Sequence, residues 1–153
     1  FELSGLGIFF VMNMLFNLVN LDTAMLHQIK DLVGNTLVPP DIISPMNPGL
    51  EVFTLIDADE EIIAIINKQS EILNCKIEIR KQGLLIWLDV SEESVVLAFP
   101  YRLISIFKGM DYLQLYCHSW RLKLLIEDKN ISQKFQQSLL AQRAINQSQY
   151  DIF

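Results

Sequence analysis

Residues 76–127 read KIEIRKQGLLIWLDVSEESVVLAFPYRLISIFKGMDYLQLYCHSWRLKLLIE, and the fold turns on how that stretch is parsed. Lys76–Arg80 alternates strictly between polar and apolar residues, which points Ile77 and Ile79 to one side of an extended strand. Lys81-Gln82-Gly83 supplies a turn into Leu84–Val90, which is apolar on both faces and so suits a central strand. Further strands are expected at Ser94–Phe99, Arg102–Lys108, Tyr112–Cys117 and Trp120–Glu127. Their connections are short: Gly109 lies in the turn after Lys108, and only His118-Ser119 separates the last two. Sequential strands joined in this way form an antiparallel meander. A helix then begins at Asn130, with Gln133 three residues on as a weak capping box and Phe135, Leu139 and Leu140 as its buried stripe.

Upstream, Asp57-Ala58-Asp59-Glu60 precedes a run of isoleucines. Asp57 with Glu60 resembles a capping box, which predicts a helix of about four turns ending near Asn74. A strand over Glu61–Ile66 is the competing reading, because β-branched isoleucine favours extended backbone. Gly34–Leu50 holds four of the five prolines, a density that forbids helix and central strand alike. Before it, Leu21, Met25, Ile29, Leu32 and Val33 line one side of a helix, with Asp22 as its cap and Gly34 as its stop.

The first residues are the most apolar. Between Glu2 and Asp22 there is no charged side chain, and Leu6–Leu21 approaches the length of a membrane span. No Lys or Arg flanks the run, and no basic segment precedes it as a secretory signal requires. Asn13, Asn17 and Asn20 recur at helical spacing, placing amides along one face. An amphipathic helix with a wide apolar face is the preferred reading, and a membrane segment the alternative. Phe9, Phe10, Met14 and Phe16 are the expected self-association residues on that helix.

The chain thus divides into an apolar helical region over residues 1–33, a Pro/Gly-rich linker over 34–50 and an α+β body over 51–153. The expected class is α+β: an antiparallel meander sheet or barrel closed by a C-terminal helix. Hydrophobic residues make up 51% and charged residues 20%, which excludes wholesale disorder. A net charge of −6 argues against general nucleic-acid binding, which needs a basic surface. The charge is uneven: residues 1–98 carry 14 acidic and 5 basic side chains, whereas residues 99–153 carry 4 and 7. The C-terminal part can therefore present a locally cationic face. Two cysteines, Cys75 and Cys117, make no C-x-x-C motif and no disulfide framework, which points to a reducing, cytoplasmic setting, although one bridge between them stays open.

Phe99-Pro100-Tyr101-Arg102-Leu103-Ile104 is similar to the aliphatic-Pro-Tyr-x-x-Ile motif of pleckstrin-homology-like (PH-like) domains. After it come the hairpin SIFKGMDYLQLYC, the strand WRLKLLIE and a helix. In this order the chain resembles the PH-like superfamily, most of all its bacterial PH-like and GRAM-type members, over Cys75–Asn146. The resemblance implies a seven-stranded barrel capped by a helix, with a strand supplied from Glu51–Ile56 or Glu61–Ile66. It also implies a binding scaffold for lipids, peptides or partner subunits. The phosphoinositide-binding members place clustered basic residues at the first hairpin, where this chain offers Arg80 and Lys81 with Lys76 nearby, and no ligand residue is carried over. The acidic pI and the helix–strands–helix order also resemble type III secretion chaperones, which are homodimers.

No phosphate-binding glycine loop, nucleophile elbow or H-E-x-x-H occurs in the sequence. No metal site or cofactor is expected: His27 and His118 read as surface residues, and Cys117 as a packed thiol facing away from His118. Asp57, Asp59, Glu60 and Glu61 read as helix N-terminal charge rather than a cation site. Alternation over the last strands places Arg121 and Lys123 on one face, with Tyr112 and Tyr116 beside them if the register allows. Such cations among aromatics are the candidate ligand or partner surface. The expected function is a non-enzymatic binding or assembly module whose partner is a protein, including a second copy of itself. Peripheral membrane contact is the alternative.

Overall fold

Leu73, Cys75, Ile77 and Ile79 are buried while Asn74 and Lys76 stand in water, so the alternation read from the sequence is the alternation of a sheet. A computed structural model describes residues 14–17, 22–37, 50–66, 73–90 and 93–150. Within them the strands are β1 (Leu15–Asn17), β2 (Leu50–Ala58), β3 (Leu73–Ile79), β4 (Gly83–Val90), β5 (Glu93–Pro100), β6 (Ile104–Lys108), β7 (Tyr112–Cys117) and β8 (Trp120–Leu125). The helices are α1 (Thr23–Val33), α2 (Glu60–Ile66) and α3 (Lys129–Tyr150), and a 3-10 turn at Tyr101–Leu103 joins β5 to β6.

All eight strands form one antiparallel sheet in the order β1-β5-β4-β3-β2-β8-β7-β6. Two meanders, β2–β5 and β6–β8, are thus joined where β8 pairs with β2 (Thr54 opposite Leu125, Ala58 opposite Leu122). The edge strands β1 and β6 do not pair with each other, so the sheet is open. A single core nonetheless takes side chains from every strand β2–β8, including Phe53, Ile77, Ile86, Phe99, Leu115 and Leu124. Met14, beside β1, lies 3.6 Å from Cys117 on β7, sulfur to sulfur. The sheet therefore curls until its two ends face each other.

The helices complete the burial. α3 lays Phe135 and Leu139 into the core, and the Phe135 ring meets Phe53 edge-on at 5.0 Å. Asp128 caps this helix, its carboxylate accepting from the Asn130 and Ile131 amides; the expected cap, Asn130, lies inside it. Leu140, expected in the buried stripe, is exposed. α1 follows its sequence signals closely, with Asp22 accepting from the Met25 amide at 2.8 Å and Gly34 closing the helix at φ 77°. Its Ile29 and Val33 join Phe16, Leu85, Val96 and Ala98 in a second cluster on the outside of β4 and β5. This cover is why Leu84–Val90 could be apolar on both faces.

Two expectations fail for physical reasons. The wide N-terminal helix is overturned at Leu15–Asn17, which pairs with β5 as a strand (Phe16 opposite Val96); the remainder of Leu6–Leu21, Met14 aside, lies outside the described residues. The four-turn helix from Asp57 is overturned at both ends: β2 runs through Ala58, and Leu73-Asn74 begin β3. Among the described residues of that span the helix is Glu60–Ile66, and its capping carboxylate is Asp59, which accepts from the Ile62 amide at 3.4 Å. Of the expected linker, Thr36 bridges to Arg80, Leu37 packs on the core and Leu50 opens β2; residues 38–49 lie outside the described residues. No helix among the described residues is long and apolar enough to cross a membrane.

Candidate functional site

The β7–β8 register sets Tyr112, Gln114 and Tyr116 on the same outer face as Arg121 and Lys123, so the sequence-predicted residues do come together. Their chemistry differs from the expectation. Arg121 is engaged: its guanidinium reaches Asp57 at 3.0 Å, the Ala58 carbonyl at 2.9 Å and Gln114 at 3.3 Å, while its amide donates to Asp59 at 2.8 Å. The Arg121 hydrogen bond holds the Asp57 carboxyl below its usual range, with the charges of Arg121 and Lys123 adding to the effect. Arg121 is thus a strap between β8 and β2 rather than a free cation. Tyr116 donates to the same Gln114 oxygen at 3.2 Å.

Lys123 keeps its ammonium 4.4 Å above the Tyr112 ring, and Phe107 of β6 stacks on that ring at 6.3 Å. Tyr112 lies flat because the turn residue beneath it is Gly109, where a Cβ would come within 2.1 Å of the ring. Phe107 is 55% exposed and Met110, in the same hairpin turn, 92% exposed. Neither was picked out from the sequence, although FKGM around a glycine turn was the available signal.

Of the expected self-association residues, Phe9 and Phe10 lie outside the described residues. Met14 and Phe16 are buried in the chain's own core clusters. Cys75 and Cys117 are free and buried; burial pushes both thiols up, Cys117 to about 12 against a smaller opposing pull from Arg102. His27 and His118 are exposed. Among the described residues no group of His, Cys, Asp or Glu is arranged to hold a metal ion.

A pocket of about 260 Å³ opens elsewhere, between the Tyr101–Leu103 turn and the C-terminal half of α3, lined by Tyr101, Arg102, Arg143, Asn146 and Gln147. The turn is rigid. Tyr101 is buried, its hydroxyl donates to the Arg80 carbonyl and its amide to the Gln82 carbonyl at 3.0 Å. The opposite wall is the continuation of the α3 stripe: Phe135 and Leu139 are followed at helical spacing by Arg143 and Asn146. Asn146 is only 7% exposed. No carboxylate lines the pocket among the described residues.

No protein-family model, curated protein or solved structure matches the chain. The site readings accordingly rest on geometry. None of the pocket residues was read from the sequence as a ligand residue, although Tyr101 and Arg102 belong to the Phe99–Ile104 motif. Two signals bore on them: the basic excess after residue 98, and a buried helical stripe that turns polar at Arg143 and Asn146.

Proposed function

We propose that the chain is a non-enzymatic binding or assembly module of PH-like architecture, whose contact surface for a protein partner is the outer face of the β6–β8 hairpins. The PH-like reading is supported by the strand order. Strands β2 to β8 make a seven-stranded meander whose first and last members pair, with the gap between β5 and β6 and a C-terminal helix packed on the core. The motif Phe99–Ile104 lies at that gap, where it ends β5, makes the 3-10 turn and begins β6.

The observation that carries the binding surface is the exposure of Phe107 and Met110 beside a Tyr112 ring fixed by Gly109 and Lys123. Aromatic residues and Met are enriched at protein interfaces, and a preorganised aromatic anchor loses little entropy on binding. Lys108 and Lys123 flank the patch and make no ion pair with a described residue. A partner offering acidic residues around an apolar side chain fits this surface.

Selection of peptides from a random display library against the full chain tests the proposal. Enriched peptides are expected to be acidic and apolar, and to lose binding to a Phe107→Ser/Met110→Ser variant that keeps its thermal midpoint. Sedimentation over a range of concentrations shows whether a second copy serves as the partner. Absence of enrichment, peptides indifferent to the double substitution, or binding only to anionic vesicles would overturn it.

A further inference from the structure

In a chain of net charge −6, the pocket under α3 concentrates cations: Arg102 comes from the 3-10 turn and Arg143 from the helix, with no acidic residue among the described lining side chains. The ion pairs among the described residues are Arg80 with Glu78 and Arg121 with Asp57, so neither pocket arginine is neutralised by one. An arginine needs no explanation where its charge projects freely into water. Arg143 is instead half-buried, on the helix face that carries Phe135 and Leu139 into the core.

Asn146 is the second and independent observation. The residue is more than nine-tenths buried, and no described residue meets its side-chain amide with a hydrogen bond. An amide this enclosed still needs hydrogen-bond partners, and without one from a described residue it takes them from whatever occupies the space beside it. No side-chain nitrogen or oxygen among the described residues is both sealed from solvent and unpartnered, so the polar atoms of Asn146 open to the pocket it lines. The amide is therefore placed for something that enters the pocket.

We propose that this pocket binds an oxyanion, the carboxylate or phosphate of a small molecule, through Arg102 and Arg143, with Asn146 hydrogen-bonding the group that carries the charge. Guanidinium groups suit this task because their fixed donors match the oxygen spacing of carboxylate and phosphate. Asn146 and Gln147 each offer an amide donor and acceptor, which favours a ligand bearing a hydroxyl or amine near its anionic end. At about 260 Å³ the pocket is smaller than most drug-sized sites, so it takes a small metabolite or the charged end of a larger molecule. Tyr101, held by its hydrogen bonds to the β3–β4 turn, gives the ligand a rigid floor. This site is separate from the hairpin surface and does not depend on it.

The test is a titration of the full chain, followed by amide NMR shifts, with inorganic phosphate, phosphoserine and succinate at constant ionic strength. Saturable shifts are expected at Tyr101–Leu103 and at 143–147 with at least one probe. Arg102→Gln and Arg143→Gln are each expected to weaken that binding by about tenfold or more, since each removes a charge-assisted hydrogen bond. Asn146→Leu is expected to weaken binding while raising the thermal midpoint, a combination that a purely structural asparagine would not give. Vesicles of phosphatidylcholine with phosphatidic acid identify the source. Vesicle binding displaced by soluble phosphate assigns the group to a lipid, and phosphoserine or succinate binding without vesicle binding assigns it to a soluble molecule. Shifts that never saturate, or that survive undiminished in the Arg102→Gln/Arg143→Gln double variant, overturn the proposal.

Discussion

Replacing Phe135 by alanine tests the contact that builds the pocket wall. Phe135 is 1% exposed and packs its ring edge-on against Phe53 at 5.0 Å, with an interplanar angle of 71°. Truncating a fully buried phenylalanine costs ~3–5 kcal/mol through lost transfer free energy and the cavity left behind. In a domain whose whole stability is ~5–15 kcal/mol, that is a large share. At ~2–4 °C per kcal/mol for a chain of this size, the thermal midpoint is expected to fall by roughly 6–20 °C. The ring–ring term can be isolated with a double-mutant cycle of Phe53→Leu and Phe135→Leu, where a coupling of ~0.5–1.5 kcal/mol is expected. Urea unfolding at constant slope gives both quantities. A loss below ~1 kcal/mol for Phe135→Ala would mean that its side chain is not held in the core. The α3 wall of the pocket would then not exist as described, and the reasoning for Asn146 would fail with it.

Two further outcomes follow from the packing and the charges. Asp57 has its carboxyl pKa depressed by Arg121, so its contribution to stability is full above the unfolded carboxyl value and is lost as pH falls through the lower folded one. Arg121→Gln is expected to move the Asp57 titration midpoint, read by carboxyl NMR, up towards the ordinary range, and an unchanged midpoint would refute the strap between β8 and β2. Gly83→Ala would place a Cβ 2.3 Å from the Phe99 carbonyl oxygen and 2.8 Å from Val33. Because the first neighbour is backbone, a loss of ~1–3 kcal/mol is expected, and a variant as stable as the parent in urea would contradict the close approach of β4 to β5.

What could be read from the sequence was what local pattern determines. The Tyr112–Cys117 strand has its expected bounds, β4 and β5 are within a residue or so of theirs, and α1 starts and stops at its signalled caps. Failures came where a distant partner decides. Leu15–Asn17 is a strand because the β5 edge is there to pair with it, and the helical spacing of Asn13, Asn17 and Asn20 says nothing of that distant edge. Asp57 looked like a helix cap until β8 was aligned beside β2, which set it opposite Lys123 and within reach of Arg121. The same pairing turned Arg121 from a predicted ligand-binding cation into a structural one. Alternation correctly gave the face of Tyr112, Tyr116, Arg121 and Lys123, but not the Asp57 that neutralises part of it.

The C-terminal basic excess now has an anatomy. Of its seven cations, Arg121 is spent on Asp57 and the Ala58 carbonyl, and Lys123 sits over Tyr112. Lys108, Lys129 and Lys134 lie on exposed surface, where water satisfies an ammonium at little cost. Arg102 and Arg143 are the two that share a concave surface, and they come from elements separated by the whole β6–β8 meander. The fold holds them there with a rigid turn on one side and a core-anchored helix on the other. An anion entering that space would pair with both guanidinium groups as well as supply an acceptor for the Asn146 amide. One ligand class therefore accounts for the half-buried Arg143 and the enclosed Asn146 together.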